Sequence, residues 1–124
     1  ITPDGRTVWV ANFLDDTLAV FDAQTLERVA LLETERYAHG VDVSPDGHYV
    51  VATGFSSEHV RVYDARTFAL KSRIDVGLGS SHTAFLGGGA MAYVGCSVSD
   101  HVAAVDVERV ERVAAVRISQ EVVQ

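Results

Sequence analysis

The chain repeats itself with a period of 42 residues, and this constrains its fold more than any other feature. Pro3-Asp4-Gly5 returns as Pro45-Asp46-Gly47, and Asp22 returns as Asp64 and again as Asp106. Val8 to Phe13 (VWVANF) lines up with Val50 to Phe55 (VVATGF) and Ala92 to Ser97 (AYVGCS). TLAVFD, HVRVYD and HVAAVD follow in the same register, and Glu27-Arg28-Val29-Ala30 recurs two periods on as Glu111-Arg112-Val113-Ala114. No gap is needed. A fixed period of this length means one small supersecondary unit, repeated, that buries its apolar faces only against its neighbours.

Local chemistry gives each unit its shape. In Thr2-Pro3-Asp4-Gly5 and Ser44-Pro45-Asp46-Gly47 proline presets φ, Asp can bond the chain two residues on, and Gly accepts positive φ. Val-rich and aromatic runs with partial alternation predict strands at residues 7–13, 17–21 and 27–32 in the first copy. The second copy adds residues 39–43, 49–53, 60–63 and 70–76, and the third 82–86, 91–95, 102–105 and 111–118. Residues 108–116 (ERVERVAAV) could be helical, but their register against the other copies favours strand. Gly87-Gly88-Gly89 replaces the Pro-Asp-Gly turn in the third copy. A full copy is four antiparallel strands, A to D from the inside outward. The copies cover approximately residues 1–36, 37–78 and 79–120, and the first lacks strand A. The tail, Ser119 to Gln124, reaches the point where a fourth copy would begin.

Composition removes several function classes. Net charge is −7, and the ten basic residues form no cluster, which argues against nucleic-acid binding. Apolar runs fall far short of the roughly 20 residues of a membrane helix. The single Cys96 excludes an internal disulfide. The chain opens inside a repeat, at Ile1-Thr2-Pro3, with no initiator Met, signal peptide or lipidation motif, as expected of a processed or excised segment.

Four-stranded sheets at this spacing are the signature of β-propeller blades. The expected fold is all-β: about three four-stranded antiparallel blades, the first without its inner strand, forming a partial propeller. Other blades, from a missing part of the same protein or from other copies, are the expected partners. Thr2 to Thr25 and Ser44 to Thr67 resemble the YVTN β-propeller repeat of prokaryotic surface-layer and periplasmic proteins. The shared pattern is SPDG, then V-x-V-A-N, then T-V-x-V-x-D-x-x-T. In the third copy Tyr93-Val94 and Val105-Asp106 fit, whereas the SPDG turn and the Thr expected at Arg109 do not. The resemblance implies a periplasmic or extracellular location. The same repeat is similar to segments of lactonase-type, haem d1 and quinoprotein propellers.

Propeller geometry places D–A and B–C connections on one face. That puts His39, His82, His59 and His101 towards one end, with Cys96 nearby and His48 at the other. His39 and His82 open inner strands near the channel, and Asp42 is a possible channel-facing carboxylate. These three are the candidate ligand-binding residues. His39, His82 and Cys96 are the candidate metal ligands, since imidazole and thiolate suit borderline metals or a haem iron. The plainer reading stands beside this one. His59 and His101 take the slot of Thr17 as repeat-encoded surface residues. His39 and His82 line a loop or channel and do not share a register, because Gly40 aligns with His82. Cys96 is then a half-buried small residue. Asp15, Asp16, Glu58 and Asp100 precede strand C and either terminate strands through backbone bonds, hold calcium, or act as acid and base. Asp22, Asp64 and Asp106 read as turn formers.

No nucleophile elbow, phosphate loop, CxxC pair or HExxH helix is present. The expected function is a non-catalytic scaffold presenting a loop face to a protein or ligand, with no catalytic residues and no cofactor. The alternative is part of a propeller enzyme or cofactor carrier, lactonase-like or haem d1-like, with channel-lining histidines and haem or copper as its cofactor.

Overall fold

The period is visible directly in the strand boundaries. A computed structural model describes residues 1–118. Its strands are β1 (Thr7–Asn12), β2 (Thr17–Asp22) and β3 (Arg28–Glu33), then β4 (Ala38–Val43), β5 (Tyr49–Gly54), β6 (His59–Asp64) and β7 (Leu70–Asp75). The last set is β8 (Ser80–Phe85), β9 (Met91–Cys96), β10 (His101–Asp106) and β11 (Glu111–Arg117). They pair antiparallel in three sheets: β1-β2-β3, β4-β5-β6-β7 and β8-β9-β10-β11. The ambiguous 108–116 stretch is a turn followed by β11, so register against the other copies was the better guide. The Ser119 to Gln124 tail lies outside the described residues.

The turns repeat atom for atom. Asp22 Oδ1 accepts from the backbone N–H of Gln24 and Thr25 at 2.8 and 2.9 Å. Asp64 does the same for Arg66 and Thr67, and Asp106 for Glu108 and Arg109. In the SPDG turns, Ser44 Oγ donates to Asp46 Oδ1 at 2.5 Å and Thr2 Oγ1 to Asp4 Oδ1 at 2.7 Å. Gly5 and Gly47 carry the positive φ these turns require, 72° and 77°. Gly89, with φ 83°, closes the equivalent third turn without help from Pro or Asp.

Burial follows from a sheet with two apolar faces. One face of the middle sheet, with Val50, Ala52, Tyr63 and Ala65, packs on Trp9, Leu18 and Val20 of the first. Its other face, with Val51, Val60, Val62, Ile74 and Val76, packs on Ala92, Val94, Cys96, Ala103, Val105 and Val107 of the third. Strand alternation sends successive residues to opposite joints, so a strand buried on both sides reads as an unbroken apolar run. Among the described residues nothing packs on the outer face of the third sheet. Met91, Tyr93, Val102, Ala104, Val113 and Val116 line an open apolar cleft of about 500 Å³ there. Tyr93, Val102, Ala104 and Val116 stand one period after Val51, Val60, Val62 and Ile74, the residues that seat the third sheet on the second. This is the face a following blade would cover, and the fold is a partial propeller that fits completion by other blades. Among the described residues no helix is long and apolar enough to cross a membrane.

Candidate functional site

The inner strands carry matching irregularities. Ala38 pairs with Gly54 and Val41 with Ala52, so His39 and Gly40 together oppose Thr53 alone. Ser80 pairs with Cys96 and Thr83 with Val94, so Ser81 and His82 oppose Gly95. Each is a β-bulge, a device that re-aims side chains. The bulges put His39 and His82 against each other, ring centres 5.0 Å apart and planes at 81°. Both are exposed at the rim. One period separates Gly40, not His39, from His82. The histidines meet because contact between neighbouring inner strands runs diagonally: Gly40 lies against the Ser81 carbonyl.

Aromatic rings extend the pair. Phe13 stacks on Tyr37 at 5.0 Å and 13°, and meets His39 edge-on at 6.5 Å. Phe55 lies 6.3 Å from His39 on its other side. The Arg36 guanidinium sits 5.3 Å from the Tyr37 ring centre. Phe13 and Phe55 stand one period apart at the ends of β1 and β5 and are 44% and 43% exposed, a large apolar surface to leave in water. Sequence reasoning left these rings out of the site. Their signal was two in-register aromatics at strand ends, where a polar residue would be the ordinary choice.

The other candidates go elsewhere. Cys96 is fully buried, not half-buried, in the joint between the second and third sheets. Its thiol donates to the Val76 carbonyl at 3.4 Å, and burial pushes its pKa up. Among the described residues no three His, Cys, Asp or Glu side chains gather to hold a metal ion. Asp42 is half-buried and accepts from the backbone N–H of Val43. His101 is more than a surface residue: its Nε2–H donates to the Val76 carbonyl at 2.5 Å, fastening the third sheet to the connection after β7. Of the acids before strand C, Asp16 bonds the backbone through its carboxylate, and the Asp100 carboxylate pairs with Arg117 at 3.5 Å. Asp16 Oδ1 accepts from Tyr37 N–H at 2.7 Å, and the carbonyls of Asp16, Glu58 and Asp100 capture Thr34, Val76 and Ile118.

One charged cluster carried no sequence signal. Glu35, on the connection from β3 to β4, is 3% exposed. It accepts from Ser57 Oγ at 2.5 Å, from Arg61 Nε at 3.0 Å and from Arg73 through two bonds at 2.5 and 2.9 Å. Burial works against its charge, but the bonds from Arg73, Ser57 and Arg61 outweigh it and hold its pKa near 2.

With this geometry in hand, comparison with known proteins decides the family. The YNCE-like β-propeller family matches residues 1–118. The chain belongs to that family. Hydrazine synthase from Kuenenia stuttgartiensis is similar at 26% identity and TM-score 0.89, over 96% of this chain and 34% of that one. The dihydro-haem d1 dehydrogenase NirN is similar at 19% identity and TM-score 0.83, over 97% of this chain and 26% of its own. A 6-phosphogluconolactonase-like protein from Bacteroides uniformis is similar at 15% identity and TM-score 0.83, over 96% and 39%. The chain thus spans between about a quarter and two fifths of each of these structures.

Proposed function

We propose that this chain is a three-blade portion of a larger propeller that works as a binding scaffold, presenting the rim around His39 and His82 to a ligand or partner protein. One unit of approximately residues 1–36, 37–78 and 79–120 supplies the blades. The observation that carries the reading is the exposed aromatic and imidazole cluster of Phe13, Tyr37, His39, Phe55 and His82 at the inner end of neighbouring sheets. Exposed aromatic surface beside polar tips is the composition of a binding hot spot. Asp42 is the carboxylate we assign to the channel side of the same site. The surface-layer and periplasmic character of the YVTN repeats implies an exported protein.

The test uses the full-length protein purified from its native source. Mass spectrometry of co-purifying molecules should find a species that a Phe13→Ser/Phe55→Ser variant no longer retains. Retention of the same species at unchanged stoichiometry overturns the reading. Both side chains are half in water, so the variant should keep its fold.

A second reading is a propeller enzyme or cofactor carrier, favoured by the inner-strand histidines and by the likeness to hydrazine synthase and NirN. A haem iron would be held by the imidazole of His39 or of His82, which are exposed at the rim. A Soret band lost in His39→Ala or His82→Ala supports a haem carrier. Lactone hydrolysis that survives both substitutions removes these histidines from a lactonase site.

A further inference from the structure

We propose that the end of the blades carrying Phe13, Tyr37 and Phe55 docks a basic segment of a partner protein, whose lysine or arginine side chains lie on the exposed rings and reach the carboxylates of Asp15 and Glu58. The proposal deepens the reading of this rim as a binding end, names the class of partner and rests on that reading.

The first observation is a ring placed where the backbone suits glycine. Tyr37 has φ 53°, in the left-handed region that side chains rarely adopt. One period on, the same place is Gly79, with φ 79°. The bonding matches too: the Tyr37 carbonyl accepts from Phe55 N–H at 2.9 Å, and the Gly79 carbonyl from Ser97 N–H at 3.0 Å. The next blade thus makes the same turn with less strain and no ring. At Tyr37 the strained backbone is held by Asp16, whose carboxylate accepts the Tyr37 N–H at 2.7 Å. Strain that its surroundings hold in place points to a role for the side chain. That side chain stacks on Phe13 and so positions an exposed ring at the rim.

The second observation is extent. Phe13 and Phe55 give way to Ser97 in the third copy, as Tyr37 does to Gly79, so the rings are particular to the first two blades. Leu14 and Val98, 83% and 56% exposed, add apolar surface in the matching connections of the first and third blades. An open surface spread over neighbouring blades suits a protein segment, whereas small molecules take concave sites.

The third observation is charge. Tyr37 already carries the Arg36 guanidinium, so the ring surface left for a partner is that of Phe13 and Phe55. Each shares its connection with an exposed acid, Asp15 after Phe13 and Glu58 after Phe55. Among the described residues neither carboxylate has an ion pair, whereas Asp100, one period after Glu58, pairs with Arg117. Net charge over the chain is −7. Aromatic faces bordered by unpaired carboxylates favour a cation on an apolar stem, as lysine and arginine supply. A neutral or acidic segment would leave both carboxylates uncompensated.

A phage-displayed library of random peptides, panned on the full-length protein and counter-selected on its Phe13→Ser/Phe55→Ser variant, tests the proposal. Ring-dependent peptides should be enriched several-fold in lysine and arginine. Their affinity should fall roughly tenfold from low to high salt, because ions screen exposed charge. Asp15→Asn/Glu58→Gln should weaken them several-fold. Tyr37→Gly should also weaken them several-fold with little change in the urea midpoint, since glycine accepts the left-handed turn, and Tyr37→Phe should bind as the wild type does. A Tyr37→Gly protein with wild-type affinity overturns the positioning role. Ring-dependent peptides without an excess of basic residues, or indifferent to salt and to Asp15→Asn/Glu58→Gln, overturn the basic partner and leave the scaffold reading standing. The absence of any ring-dependent peptide does the same. The scaffold reading itself falls only when the species from the native source is retained by the Phe13→Ser/Phe55→Ser variant.

Discussion

The two joints between blades have the same geometry and different chemistry. Between the first and second sheets, Trp9 meets Tyr63 at 6.0 Å and Phe68 at 5.6 Å, and large rings fill the gap. The Glu35 cluster then bolts the connection before β4 onto β6 and β7, and the Tyr63 hydroxyl donates to the Glu33 carbonyl at 2.5 Å. Between the second and third sheets the filling is small and aliphatic. Hydroxyls and one imidazole hold that joint: Thr53 on Ser81, Ser80 on Gly54, Ser99 on Leu78 and His101 on Val76. The period explains the split. Arg61 stands where the other copies have Ala19 and Ala103, Arg73 where they have Leu31 and Ala115, and Glu35 where Gly77 follows. Backbone geometry is set by positions that repeat, and joint chemistry by positions that do not.

The contrast can be broken first at its largest side chain. Trp9→Ala removes a buried ring and should cost about 3–5 kcal/mol, read as a lower urea midpoint of the full-length protein. Hydrogen exchange should rise in β1–β3 and little in β8–β11. A uniform rise would mean that the joints melt as one unit and the comparison is empty.

Glu35→Gln comes next. It leaves Arg61 and Arg73 facing a neutral group, a loss of about 2–4 kcal/mol, reduced from a fully buried pair because Arg73 is half in water. Acid should reproduce the loss. The carboxyl titrates near 2 in the folded chain against an ordinary value of 4.5, so its stabilisation is complete above pH 4.5 and lost as pH falls towards 2. The gap between wild type and Glu35→Gln should therefore narrow below pH 4.5 and close as pH falls through 2, and a gap undiminished at pH 2.5 would take the ion cluster out of the account. The middle joint offers the smallest effect. Cys96→Ala should cost about 1 kcal/mol, and alkylation of the native thiol should be slow and limited by opening of that joint, seen by mass spectrometry. Rapid labelling without any rise in exchange at β9 and β10 would contradict a closed joint.

Much of the fold was legible along the chain. The Asp22, Asp64 and Asp106 turns depend on side chains two and three residues from the backbone they bind, so spacing alone reveals them. The site was legible only in part. Out-of-register histidines argued against a shared role for His39 and His82, and the structure brings them together because bulges shift their strands and the blades meet diagonally. Exposure of Phe13 and Phe55 was hidden because an apolar residue at a strand end reads as core.

The amino-acid order alone determined the 42-residue unit, its four strands and the turns that limit them, since those depend on backbone preferences and contacts a few residues apart. Only the tertiary structure decided which side chains meet across blades: the imidazole pair set by Gly40, Thr53 and Ser81, and the carboxylate of Glu35 clamped by Arg61 and Arg73. Those partners lie 13 to 43 residues apart in the chain, and no local preference brings them together.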